Sequence, residues 1–272
     1  MKRRRFALGL VAAPAWAQTK TSTAQPNVQV LPDRLPMPGL GRERGLRLYL
    51  PPSYATQPER RYPVIYLHDA QNLFDDATAF AGEWGVDETL NALARSTGFE
   101  AIVVGIDHGD ARRIPEMLPW PHAPFTTAEG AAYVDFVALT VKPWIDARWR
   151  TRPDAASTAI GGASIGGSIS HYALLRHPAA FGRAAIFSPS YWSMPAFFEQ
   201  VQREPAPATA RLFIHIGAAE VEQMLEPTRR MHALLVQQPA AVELRVAPGA
   251  RHNEAAWRAA FEPALRWLFD IR

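Results

Sequence analysis

The stretch TAIGGASIGGSISHYALLRH, residues 158–177, changes character at its seventh residue. Up to Ala163 it reads as a short apolar strand; from Ile165 the spacing is helical. Between the two, Gly162-Ala163-Ser164-Ile165-Gly166 places small residues two positions before and after a serine. That pattern suits a sharp, strained strand-to-helix turn that lifts one hydroxyl clear of the sheet, beside the free N–H groups of a helix start. A phosphate loop would need a lysine after the glycines, and none is present.

Working outward, other strand-like runs are LRLYL (46–50), PVIYLHD (63–69), AIVVGID (101–107), AAIFS (184–188), RLFIHIG (211–217) and VELRVAP (242–248). Segments with helical spacing lie between them, at 86–93, 131–149, 165–176, 221–236 and 254–269. This alternation predicts an α/β fold: a mostly parallel central sheet with helices on both faces. Functional residues in such sheets collect at the carboxyl edge.

A serine raised by such a turn needs an acid and then a histidine, each on a loop after a later strand. No aspartate lies between Ser164 and the last histidine, so the acid is a glutamate. Glu220 follows RLFIHIG by three residues and is the first choice, with Glu222 the second. Five histidines follow Ser164, and only His252, in VAPGARHNEAAW, stands on a loop after a strand. The expected base is therefore His252.

Several separated motifs in the same order resemble one known group: YPVIYLHDAQNLFD (62–75), WGVDETLNAL (84–93), IVVGIDHGDARRIPEM (102–117), GGASIGGSISHYALLRHPAAFGRAAIFSPSYW (161–192) and GARHNEAAWR (249–258). They are similar to the putative esterase family of α/β-hydrolases, which includes esterase D and the enterochelin esterases. The resemblance implies an α/β-hydrolase fold, a serine esterase with Ser164 as nucleophile, His252 as general base and Glu220 as its orienting acid, and no cofactor. It also implies an oxyanion hole built from the N–H of Ile165 and one from the Asp69-Ala70-Gln71 loop. A glycine often stands at the place of Ala70, so the second donor is Ala70 or Gln71.

Asp69, Trp84, Tyr191 and Trp192 are candidates for substrate contact, the aromatic residues because their faces hold flat rings. Packing is the alternative role for the tryptophans. Arg113 and Glu116 are expected to pair with each other at the cleft rim. Metal binding has little support: the histidines are dispersed, and His108 with Asp107 and Asp110 is the nearest approach to a ligand cluster. Without cysteine, neither a thiol nucleophile nor a disulfide is available.

Lys2, Arg3, Arg4 and Arg5 precede an apolar run, FALGLVAAPAWA, that ends in Ala15-Trp16-Ala17. This layout predicts an export signal over 1–17, and RRRF resembles the twin-arginine type, so the expected location is periplasmic or secreted. Removing its four basic residues from 29 leaves 25 against 26 acidic, a balance of −1 that gives no reason to expect a nucleic-acid partner. Twelve residues containing a proline are too short to span about 30 Å of hydrocarbon, so no membrane span is expected after cleavage. Residues 18–40 read as a linker or N-terminal extension and 41–272 as the esterase domain. The substrate class is a small-molecule ester: a siderophore lactone, an acylated sugar or a simple acyl ester. A non-catalytic sugar- or siderophore-binding protein and an acyltransferase are the alternative functions.

Overall fold

The computed structural model describes residues 20–272; the export signal expected over 1–17 lies outside them. An eight-stranded sheet organises the chain. Its strands, in chain order, are β1 (Val28–Val30), β4 (Leu46–Tyr49), β5 (Val64–His68), β6 (Ile102–Ile106), β7 (Thr158–Ala163), β8 (Arg183–Phe187), β9 (Arg211–Gly217) and β10 (Ala241–Ala247). They lie side by side as β1-β4-β6-β5-β7-β8-β9-β10. From β6 to β10 every pairing is parallel, and only β4 runs against its neighbours. A separate hairpin joins β2 (Leu35–Met37) to β3 (Arg42–Arg44).

The strands β5, β6 and β7 are buried at every residue, which explains why they read as unbroken apolar runs. Alternate side chains serve two cores. Val64, Tyr66, Ile160, Ile186 and Ile214 meet α3 (Gly130–Phe136), α5 (Ile165–Arg176), α6 (Pro195–Arg203) and α7 (Glu222–Leu235) on one face. Ile65, Leu67, Ala185, Phe187 and Phe213 meet α1 (Val86–Thr97) and α8 (Glu254–Leu268) on the other. Helices on both faces of a mostly parallel sheet are thus what the alternation predicts.

Two readings need correction. The run 131–149 is not one uniform helix: α3 passes through a wide π turn at 137–141 into α4 (Lys142–Asp146), which has Pro143 in its first turn, where the missing N–H does no harm. The stretch read as a linker carries structure from residue 20 onward: β1 pairs with β4, and the Gln25 N–H bonds the buried Asp87 carboxylate at 2.8 Å. Its polar, proline-rich composition hides this, because a three-residue edge strand needs no apolar pattern. Among the described residues no helix is long and apolar enough to cross a membrane.

Candidate active site

Each parallel strand from β5 to β9, and β10 at the edge, sends its loop to the same side of the sheet. Ser164 follows β7 directly, at φ 59° and ψ −127°. A left-handed φ on a non-glycine residue costs on the order of 1–3 kcal/mol, and the surrounding contacts hold it there. Gly162 and Gly167 make the turn possible: a Cβ on Gly162 would come within 3.0 Å of the Gly166 backbone, and one on Gly167 within 2.9 Å of the Phe187 carbonyl. Gly166, which the motif also singles out, has more room, its nearest neighbour lying at 3.4 Å. The Ser164 N–H donates to the Phe187 carbonyl at 2.9 Å, which pins the turn to β8.

Glu220 meets His252, with Nδ1 and Oε2 2.9 Å apart. Glu222 opens α7 in solvent, near Arg229, so it is Glu220 that faces the imidazole. The other carboxylate oxygen of Glu220 accepts from the Ser188 hydroxyl at 2.6 Å and the Gly217 N–H at 2.9 Å. Burial pushes this carboxyl up, but the hydrogen bonds from His252, Ser188 and Gly217 outweigh burial and hold it below the ordinary glutamate value. Ser188 also accepts from the Trp257 indole N–H at 2.9 Å, and the same indole packs edge-on against the His252 ring, with centroids 5.1 Å apart. No local pattern in the sequence marks this support from Ser188 and Trp257, since the two residues meet only in the folded chain.

Ser164 and His252 line the same cleft, yet the Ser164 hydroxyl is hydrogen-bonded to Ser190 Oγ at 3.2 Å and not to the imidazole. Catalytic contacts are often looser in a ligand-free site than in a complex. Among the described residues, the N–H groups of Ile165, Ala70 and Gln71 find no acceptor within the protein. All three donors expected for an oxyanion hole are therefore unused.

Two cavities meet at Ser164. One, of about 540 Å³, runs along Trp192, Ala219, Val221 and Met224. The other, of about 460 Å³, is bounded by Asp69, Phe80, Arg113, Glu254 and Trp257. His252 borders both.

The remaining candidates separate. Trp192 is 37% exposed and lines the first cavity. Trp84 is packed among Phe187, Trp257 and Phe261, with only its margin reaching the second. Tyr191 is not a cleft residue: it is fully buried, and its hydroxyl lies 2.9 Å from His171 Nδ1. Asp69 is on the cleft wall, held by Arg113 Nε and Nη2 at 2.6 and 2.8 Å. Burial raises the Asp69 carboxyl, but the adjacent guanidinium more than offsets this and leaves it below the usual aspartate value. The expected pairing of Arg113 with Glu116 is thus replaced. Glu116 instead accepts from Arg44 Nη2 at both carboxylate oxygens, at 2.6 and 2.7 Å, and also faces Arg42 Nε at 3.3 Å. His108 and Asp110 approach to 3.4 Å while Asp107 pairs with Arg47, so these three residues do not converge.

Gly217 shows how closely the loop carrying His252 is seated. A Cβ there would stand 2.2 Å from the Ala250 carbonyl oxygen, two residues before His252. Gly217→Ala is expected to push that loop away, costing about 2–3 kcal/mol as overpacking does. The expected readouts are a melting temperature lower by about 5–10 °C and a kcat reduced about tenfold or more.

The profile of the Esterase family, described as "Putative esterase", matches residues 38–268. The chain is 30% identical over 242 residues to the uncharacterized protein YbbA of Bacillus subtilis, covering 83% of this chain and 92% of that one. It is 32% identical over 138 residues to the siderophore triacetylfusarinine C esterase of Aspergillus fumigatus, covering 48% of this chain and 44% of that one. The crystal structure of an IroE-like serine hydrolase from Shewanella oneidensis superposes with a TM-score of 0.75 at 20% identity, covering 89% of this chain and 80% of that one. The chain therefore belongs to the putative esterase family and is a carboxylic ester hydrolase of the α/β-hydrolase fold.

Proposed function

We propose that Ser164, His252 and Glu220 form the catalytic triad of this esterase and that the reaction passes through an acyl-enzyme on Ser164. The observation that carries the reading is the ionised, three-times hydrogen-bonded Glu220 holding His252 beside a serine whose backbone is forced into a left-handed turn. The hydroxyl of Ser164 leaves Ser190 and gives its proton to His252 Nε2 as its oxygen attacks the ester carbonyl. Glu220 stabilises the imidazolium without taking the proton. The N–H of Ile165 and one from Ala70 or Gln71 receive the oxyanion, each contributing about 10²- to 10³-fold in rate. His252 then protonates the departing alcohol, and water repeats the sequence on the acyl-enzyme.

The substrate is a small-molecule ester whose acyl and alcohol portions occupy the two cavities that meet at Ser164. Similarity to the Aspergillus fumigatus siderophore esterase supports a siderophore among the esters to be tried. Export is part of the same proposal, resting on the basic, apolar and small-residue layout of residues 1–17.

Treatment with an organophosphonate ester tests the triad. One adduct is expected by intact mass, mapped to the peptide containing Ser164; an adduct elsewhere, or none, overturns the assignment. Ser188→Ala tests the support beneath Glu220. It removes one donor from the carboxylate and leaves the Trp257 N–H without its acceptor, so kcat should fall about 10- to 100-fold with KM little changed. Stability should drop by about 1–3 kcal/mol, measured by urea unfolding.

A further inference from the structure

The second cavity carries one feature that the hydrolytic steps do not use. Glu254, the first residue of α8, lines it together with Asp69, Arg113 and Phe80. Asp69 and Arg113 neutralise each other through two short hydrogen bonds. Glu254 is only 7% exposed, and among the described residues its carboxylate has neither an ion pair nor a hydrogen bond from another side chain. An acid at a helix start is favoured by the helix dipole, but that benefit does not require burial in a cavity wall. Burial raises this carboxyl, as does the nearby Asp69, while a hydrogen bond from its own backbone N–H and the charges of His252 and Arg113 pull the other way. The wall of the cavity thus holds a carboxylate with no side-chain counter-charge in direct contact among the described residues.

Phe80 supplies the second observation. It is 91% exposed on the cavity rim, the most exposed large apolar side chain among the described residues. The nearly buried Trp257 also lines this cavity. A nearly buried carboxylate and an exposed aromatic ring around one cavity are elements that bind alkylammonium groups. An anionic group would meet Glu254 in a desolvated setting and be repelled.

We propose that the cavity between Phe80 and Glu254 is a subsite for a positively charged, ammonium-type group of the substrate, with Glu254 as its counter-charge and Phe80 as its aromatic wall. The proposal rests on the reading of Ser164 as nucleophile, because it places the charged group within one ester's length of that hydroxyl.

The test uses two pairs of esters matched in shape and differing in charge. Acetylcholine and 3,3-dimethylbutyl acetate place the group on the alcohol side. Ethyl betaine and ethyl 3,3-dimethylbutanoate place it on the acyl side. The quantity read is the ratio of kcat/KM for the cation to that for its neutral twin, within each protein, so that general losses of activity cancel. In Glu254→Gln this ratio should fall about tenfold for one of the pairs. In Phe80→Leu, a change on an exposed loop that spares folding, it should fall about two- to fivefold for the same pair. Ratios within twofold of the parent's for both pairs in both variants would overturn the subsite. The Kd of each ester, measured by calorimetry on full-length Ser164→Ala with and without Glu254→Gln, reads the charge preference free of chemistry. A parent that binds the cation preferentially but turns over no ester would retain the subsite and count against the triad; equal affinity for cation and neutral twin would count against the subsite alone.

Discussion

Replacement of Ser164 by alanine is expected to lower kcat for a short-chain aryl ester by about 10⁵- to 10⁶-fold, the loss seen when a serine nucleophile is removed from a working triad. The residual rate should still exceed that of water, since the Ile165 donor and the two cavities survive the change. Folding should be nearly untouched, because the hydroxyl makes a single side-chain hydrogen bond, to Ser190. The backbone at this position separates two effects that are often confounded. Alanine keeps the cost of a φ of 59°, whereas Ser164→Gly removes it. Both variants should be equally inactive, and the glycine variant should melt at or above the alanine variant. An alanine variant retaining more than about a hundredth of parental activity would end the assignment of Ser164 as nucleophile, given that no cysteine is present to substitute.

Loss of the His252 ring should be almost as severe. His252→Ala is expected to reduce kcat by about 10⁵- to 10⁶-fold, since removing the base alone disables the nucleophile as completely as removing the nucleophile. The imidazole side chain is 38% exposed, and Glu220 keeps its bonds from Ser188 and Gly217, so the melting temperature should stay within about 2 °C of the parent's. Because the Ser164 hydroxyl rests on Ser190 and not on the imidazole, this variant leaves the nucleophile in place and removes only its activation. Organophosphonate labelling should therefore slow in parallel with kcat. If labelling kept its parental rate while turnover vanished, another group would have to be taking the Ser164 proton.

The sequence made some parts of this site readable and hid others for physical reasons. The turn at Ser164 was readable because a strained strand-to-helix turn demands small residues close to the serine. The meeting of Glu220 with His252 at the same cleft was readable because parallel strands return their loops to one edge in chain order. The partners Ser188 and Trp257, by contrast, are 69 residues apart and meet only through the packing of α8 on β8, which leaves no local pattern. The pairing of Arg113 with Glu116 was misjudged because proximity along the chain says nothing about which partner offers both oxygens of a carboxylate. Tyr191 was misplaced for a similar reason: an aromatic residue after a strand can turn inward to a buried histidine as readily as outward to a cleft. Glu254 stands two residues after His252 in plain view, and only burial without a side-chain partner among the described residues marks it out. The short strands β1, β2 and β3 escaped notice because each is three residues long and two of them form a hairpin outside the main sheet.

The proposed nucleophile, Ser164, hangs from β7, near the middle of the sheet, while the proposed base, His252, follows β10 at its margin, where every residue of the strand is partly or wholly solvent-exposed. Regions with few buried contacts open at lower free energy than the centre of a domain. Warming would therefore fray the margin that carries the imidazole while the serine elbow still keeps its shape, so that the chain loses its chemistry reversibly before it loses its fold.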